Sequence, residues 1–254
     1  MREGGRVLRR LGLAAVLTLA TSAVAAQTHQ LSTDQRNLAC GSPTSLNDGW
    51  PTATPESVGL DGPRLCGIAA RLAATHANVH AVVAVRRGKL VFEQYFPGRD
   101  EPWGMGDGPH EFDATTKHDM RSVSKSVISL LVGIAIDREL IKSADEPVVK
   151  FFPDYSAAKS PGWDNITPRF QAIGYFGDLF YCGQQWWMGR TLSGDKDVKW
   201  IAAMGLGGQR IFIVPELDLV VMTTSGLYGS GRQGNAALDI LANFIIPYVR
   251  HNVR

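Results

Sequence analysis

Ser122 and Lys125 stand three residues apart at the head of an apolar run that reaches Ile136. Residues three and four apart share one face of a helix. Ser122, Lys125, Ser126 and Ser129 therefore form a polar stripe on an otherwise apolar helix. Such a helix start suits acyl transfer. Its first N–H groups lack partners inside the helix and can stabilise an oxyanion. A lysine held in an apolar setting loses solvation, its pKa falls, and it can take the proton of a serine hydroxyl. The same residues allow a structural reading, in which Ser122 caps the helix and Lys125 reaches into solvent. S-x-x-K recurs at Ser156–Lys159 and Ser193–Lys196. The former lies in a polar, proline-flanked loop and the latter in a Gly-Asp turn. Only Ser122 opens a long helix, one whose apolarity nearly all round predicts burial.

Other chemistry is weakly represented. Gly229, Gly231 and Gly234 spell G-x-G-x-x-G between a predicted strand and a predicted helix. A dinucleotide site also needs a following strand with an acidic residue about 20 positions on, and none follows, so the run reads as a flexible turn. There is no H-E-x-x-H, P-loop, EF-hand loop, Cys/His zinc spacing or G-x-S-x-G elbow. His29, His76, His80, His110, His118 and His251 are scattered. No cofactor and no metal is expected. Cys182 has no histidine motif beside it and reads as a small, partly buried side chain.

The elements that must position Ser122 follow from periodicity. Asp61 can cap a helix carrying Leu65, Ile68, Ala69 and Leu72 at helical spacing. Val79–Val85 and Leu90–Tyr95 are β-rich runs around Arg86-Arg87-Gly88-Lys89, a hairpin signal. Residues 97–120 form a Gly-, Pro- and Asp-rich loop. Later strands are expected at Gln185–Leu192, Trp200–Ala203, Gln209–Val214 and Leu217–Thr223, the last two joined by a hairpin at Pro215-Glu216. Asn235–Val249 closes the chain as a helix with Leu238, Leu241, Ala242 and Ile245 on one face. This order predicts an α+β fold: an antiparallel sheet flanked by N- and C-terminal helices, with a buried helix carrying Ser122.

The 254 residues divide into three parts. Residues 1–26 have the basic, apolar and small-residue order of a secretory signal. Their apolar run is shorter than the roughly 20 residues a bilayer demands. Residues 27–58 are an extended lead-in, and residues 59–254 the folded domain. The formal charge is +2, and the leader's Arg2, Arg6, Arg9 and Arg10 account for the whole excess. Nothing therefore supports nucleic-acid binding. Export predicts a periplasmic or secreted protein with no stable membrane insertion after leader cleavage. It also makes a Cys40–Cys66 disulfide plausible.

Met120-Arg-Ser-Val-Ser-Lys-Ser126 resembles the nucleophile segment of the serine β-lactamase and penicillin-binding-protein superfamily. It is most similar to the class C-like and esterase branch that includes 6-aminohexanoate-dimer hydrolases. Gly133–Asp137, Lys142–Pro147, Phe151–Tyr155, Gln185–Gly189 and Gly205–Asp218 resemble the segments that follow. The resemblance implies an acyl-enzyme mechanism on a small-molecule ester or amide. Ser122 would attack the carbonyl and Lys125 would help remove its proton. The amides of Ser122 and Leu206, with Gly205 and Gly207 beside them, would form the oxyanion hole. Two departures go with it. The family's Lys-Thr-Gly or His-Thr-Gly falls on Ala203-Met204-Gly205, which argues against an efficient β-lactamase. The helical subdomain bearing a Tyr-x-Asn or Tyr-x-Ser motif is largely missing near 168–180. Neither Tyr175 nor Tyr181 carries that motif. The alternative is a catalytically silent, shortened member that binds an envelope ligand.

Overall fold

The structure is a computed structural model that describes residues 42–101, 105–106, 108–153, 162, 165–169, 173–175 and 180–250. Residues 1–26, Cys40, Ser156 and Lys159 lie outside the described residues, as does much of the stretch near 168–180 where a shortened helical insert is expected.

Helix α1 (Gly62–Thr75) begins where Asp61 accepts a hydrogen bond from the Arg64 amide at 3.1 Å, with Pro63 in the first turn. It ends at His76, which takes a left-handed conformation. Strands β1 (Val79–Arg86) and β2 (Lys89–Tyr95) form the expected hairpin. The loop that follows holds a small ribbon of β3 (Gly98–Arg99) and β4 (Pro109–His110). Helix α2 (Val123–Asp137) comes next, then β5 (Ile173–Tyr175), β6 (Phe180–Gly183), β7 (Trp186–Ser193), β8 (Lys196–Gly205), β9 (Gln209–Val214) and β10 (Leu219–Ser225). Helix α3 (Gly231–Asp239) continues as a π-helical stretch at Ile240–Ile245 and a 3₁₀ turn at Ile246–Tyr248. The expected single helix over 235–249 thus starts earlier and widens, which turns Ile240 as well as Leu241 and Ile245 into the core.

Eight strands make one antiparallel sheet in the order β2-β1-β10-β9-β8-β7-β6-β5. From β5 to β10 each strand pairs with its neighbour in sequence. The exception is β1, which lies against β10, Val82 opposite Thr223 and Arg86 opposite Leu219. The core lies between this sheet and the terminal helices. Leu65, Ile68 and Leu72 of α1 meet Val82, Phe92, Trp200, Phe212 and Val221 of the sheet, and Leu241 and Ile245 from the C-terminal end. This is an α+β fold of the expected layering.

The expectation of burial for α2 does not hold. Only Val123 and Ser126 are buried. Val127, Ile128, Leu130 and Leu131 are 46%, 58%, 54% and 53% exposed. Among the described residues the helix packs chiefly at β8 and β9. A sheet covers one side of a helix, and a helix apolar all round needs cover on several. The segment after it, with a 3₁₀ turn at Val148–Phe151, leaves Leu140 and Phe152 exposed as well.

Arg86 ties distant parts of the chain together. It is 3% exposed. Its guanidinium donates to the carbonyls of Val58, Leu217 and Arg250. Cys66 is disulfide-bonded and Cys182 is a free, buried thiol. No helix among the described residues is long and apolar enough to cross a membrane.

Candidate active site

The turn before α2 sets up Ser122. Arg121 has φ +50°, a left-handed conformation that costs a residue with a side chain of order 1–3 kcal/mol. It is held there by Asp119, which accepts from the Arg121 amide at 3.0 Å and ion-pairs with its guanidinium at 3.2 Å. The same guanidinium lies 4.3 Å from the centre of the Tyr228 ring. The chain then enters the helix with Ser122 at the N-cap. The Ser122 side chain makes no capping bond. Its Oγ instead accepts a hydrogen bond from Lys125 Nζ at 2.9 Å.

Lys125 is exposed rather than enclosed, contrary to the apolar setting expected from the helix composition. The reason is the uncovered face of α2. The rest of the polar stripe has another task. Ser126 Oγ donates to the Gln185 carbonyl and Ser129 Oγ to the Gln184 carbonyl, each at 2.6 Å. Gln184 and Gln185 both have positive φ, 52° and 64°. The two serines therefore pin the tight β6–β7 turn beside Lys125.

Ser122, Lys125, Gly205 and Leu206 line one cavity of about 730 Å³, with Phe180, Cys182, Gln185, Trp187 and Arg210 among its other walls. Gly205 ends β8 against the segment that leads into Ser122. A Cβ there would stand 2.5 Å from the Met120 carbonyl oxygen. Leu206 follows at the exposed tip of the β8–β9 turn, its side chain 63% exposed. Gly207 is not part of the cavity wall. With φ +81° it lets the turn close on Tyr228, whose Cα would lie 2.7 Å from an added Cβ.

Arg210 is the second cation of this cavity, and nothing in the sequence pattern singles it out. Its Nη1 donates to the carbonyls of Gly205 and Gln209 at 2.5 and 2.9 Å, so it braces both ends of the turn that bears Leu206. Burial pushes its pKa down to about 10. An added Cβ on Gly234 would lie 2.4 Å from Arg210 Nη2. The third glycine of the G-x-G-x-x-G run thus makes room for a guanidinium. Only the packing of β8, β9 and α3 reveals this. Cys182 is a cavity wall too, and burial pushes its pKa up, which keeps the thiol protonated. Among the described residues no tyrosine lines the cavity. Tyr181 lies elsewhere, with Met188 and Trp200 around a separate hollow.

The family model for β-lactamase matches residues 68–169, a stretch that holds the later part of α1, then β1, β2, Ser122, Lys125 and α2. A β-lactamase superfamily domain is present over this part of the chain. The serine–lysine hydrogen bond and the apposed end of β8 thus occur in a protein with β-lactamase-superfamily character. The match ends before β5, so Gly205, Leu206 and Arg210 lie outside it. No curated protein matches the chain.

Proposed function

We propose that the protein is an exported serine hydrolase that cleaves an ester or amide through an acyl-enzyme. The observation that carries this reading is the 2.9 Å contact of Lys125 Nζ with Ser122 Oγ at the start of α2, within one cavity with the Leu206 turn. Lys125 takes the Ser122 proton as Oγ bonds to the substrate carbonyl carbon. The carbonyl oxygen becomes an oxyanion beside the amides of Ser122 and Leu206. Its collapse breaks the bond to the leaving group, which takes the proton back from Lys125. Water then attacks the acyl-enzyme, giving a proton to Lys125, which passes it to Ser122 Oγ as the acyl bond breaks and the acid product leaves.

The short middle of the chain supports slow turnover. The resemblance leads one to expect a helical subdomain with a tyrosine that shares proton transfer, and the shortened stretch near 168–180 lacks its motif. Loss of a positioned base costs about 10²–10⁴-fold in rate. Small activated esters such as nitrophenyl acetate are the expected substrates and β-lactams poor ones. The disulfide at Cys66 supports an oxidising compartment, periplasmic or secreted. One observation favours a second reading, a silent ligand-binding protein: Lys125 stands in solvent. A fluorophosphonate probe separates the two. Peptide mapping is expected to place the adduct on Ser122 and on no other serine. A folded protein that takes no label would establish the silent reading.

A further inference from the structure

We propose that the groove along α2 holds an unbranched alkyl chain of the substrate. This rests on the hydrolase reading and narrows it to long-chain esters or amides. A second cavity, of about 720 Å³, runs beside α2 between that helix, Trp186 and Pro168. It shares Lys125 and Gln185 with the Ser122 cavity, so the two cavities adjoin beside the proposed reacting centre. Its helical wall includes one long stripe, with Ser124, Ser129 and Leu130 beside it. Lys125, Ile128, Val132 and Ile136 follow at steps of three and four residues, over about 16 Å at 1.5 Å per residue. Beyond Lys125 its described walls carry no charged side chain.

The stripe also has a gap. Gly133 lines the groove, and nothing lies within 4 Å of where its Cβ would be. Glycine inside a helix is less favourable than alanine, and here it leaves the channel open toward its far end. A channel lined mainly by apolar side chains, with its one charge, its serines and its glutamines toward the reacting end, fits a chain of methylenes. A second copy of the protein would instead cover the convex residues Val127, Leu131 and Ile134, which are exposed but do not line the groove.

The test uses the full mature chain and two ester series. Complete burial of one methylene is worth about fourfold, and an open groove recovers part of it. From nitrophenyl acetate to nitrophenyl octanoate, kcat/KM is expected to rise about tenfold. A matching rise from ethyl to octyl acetate, in place of the first, would put the chain on the alcohol side and still support the groove. Gly133→Phe, which fills the channel and improves helix propensity, is expected to bring the octanoate-to-acetate ratio to about one, as is Ile136→Asp. Laurate binding to Ser122→Ala, read by tryptophan fluorescence, needs no catalysis. Laurate that binds Ser122→Ala but not its Gly133→Phe double variant upholds the groove even if no ester is cleaved, in which case only the hydrolase reading falls. Rates flat or falling with chain length, together with no laurate binding, overturn the groove and leave the hydrolase reading intact. Dimerisation abolished by Leu131→Asp alongside those flat rates would give the face to a second copy.

Discussion

Gly205 shows what a single missing methyl group does for the candidate site. The Met120 carbonyl sits where its Cβ would be, so the end of β8 and the start of α2 touch backbone to backbone. Gly205→Ala should push the Ser122 segment away from the Leu206 turn. A displacement of about 1 Å can cost about 10²-fold in rate. Phosphonylation of Ser122 is expected to slow by about that factor while the melting temperature stays within a few degrees. Labelling at the wild-type rate would show that the turn does not position the serine. Ser122→Ala should abolish hydrolysis of nitrophenyl acetate. Because Lys125 is exposed, Lys125→Ala should cost less than the ~10²-fold at the low end for a positioned base, and a larger loss in steady-state rate would count against that view. The Ser122–Lys125 pair was legible because helical spacing alone brings two such residues together. Arg210 was not, since its partners lie five residues back across a turn and on a separate helix.

Periodicity located the elements well where one face of each is buried. β1, β2, β9 and α1 fall within a residue or two of expectation because the core imposes the pattern that the sequence displays. It misled for α2, where apolar composition implied cover that no described element supplies. It also passed over β3 to β6, whose short pairings leave little pattern to read. One of these short elements leans on a buried histidine. His80 of β1 is fully buried, stacked on Phe112 at 3.8 Å, with its Nδ1 2.8 Å from His118 Nε2 and its Nε2 3.0 Å from the Arg99 carbonyl. Burial first, then the neighbouring His118, pushes its pKa down to about 3. His118 is shifted down as well, chiefly by burial. The unfolded chain therefore binds protons that the folded one refuses. Stability should be full above about pH 6.5 and fall as the pH drops toward 3. Melting temperatures taken across that range are expected to decline in the wild type and less steeply in His80→Gln. Parallel profiles would remove His80 as the cause.

Across the whole molecule, Arg86 gathers three carbonyls from Val58, Leu217 and Arg250, and the Arg250 amide donates to the Gly59 carbonyl at 2.8 Å. The entry to the domain, the β9–β10 connection and the end of the chain meet at one guanidinium. Arg86→Met keeps much of the volume but leaves three acceptors without a donor, at roughly 1–3 kcal/mol for each that stays buried. A fall in the urea midpoint equivalent to about 3 kcal/mol or more is expected, and an unchanged midpoint would mean that water satisfies the carbonyls. The sequence showed Arg86 only as part of a basic hairpin turn, because its partners are spread over nearly 200 residues. The same distance hid the place of β1. An antiparallel sheet could be foreseen from the strand runs, but nothing local says that β1 lies next to β10.

That pairing of β1 with β10 bears on the order in which the molecule can assemble. From β5 to β10 every strand meets its sequence neighbour, so this meander has low contact order and can form by successive hairpins. Joining β1 to β10 closes a loop of more than a hundred residues, and α2 with Ser122 lies inside that loop. Loop-closure entropy makes so distant a contact late. On the ribosome the first two strands would wait for β10 to emerge, and Ser122 would meet the Leu206 turn only as the sheet closes. Pulse-labelled hydrogen exchange should then protect amides of β7 to β9 before those of β1, and phosphonylation of Ser122 should appear with the later phase.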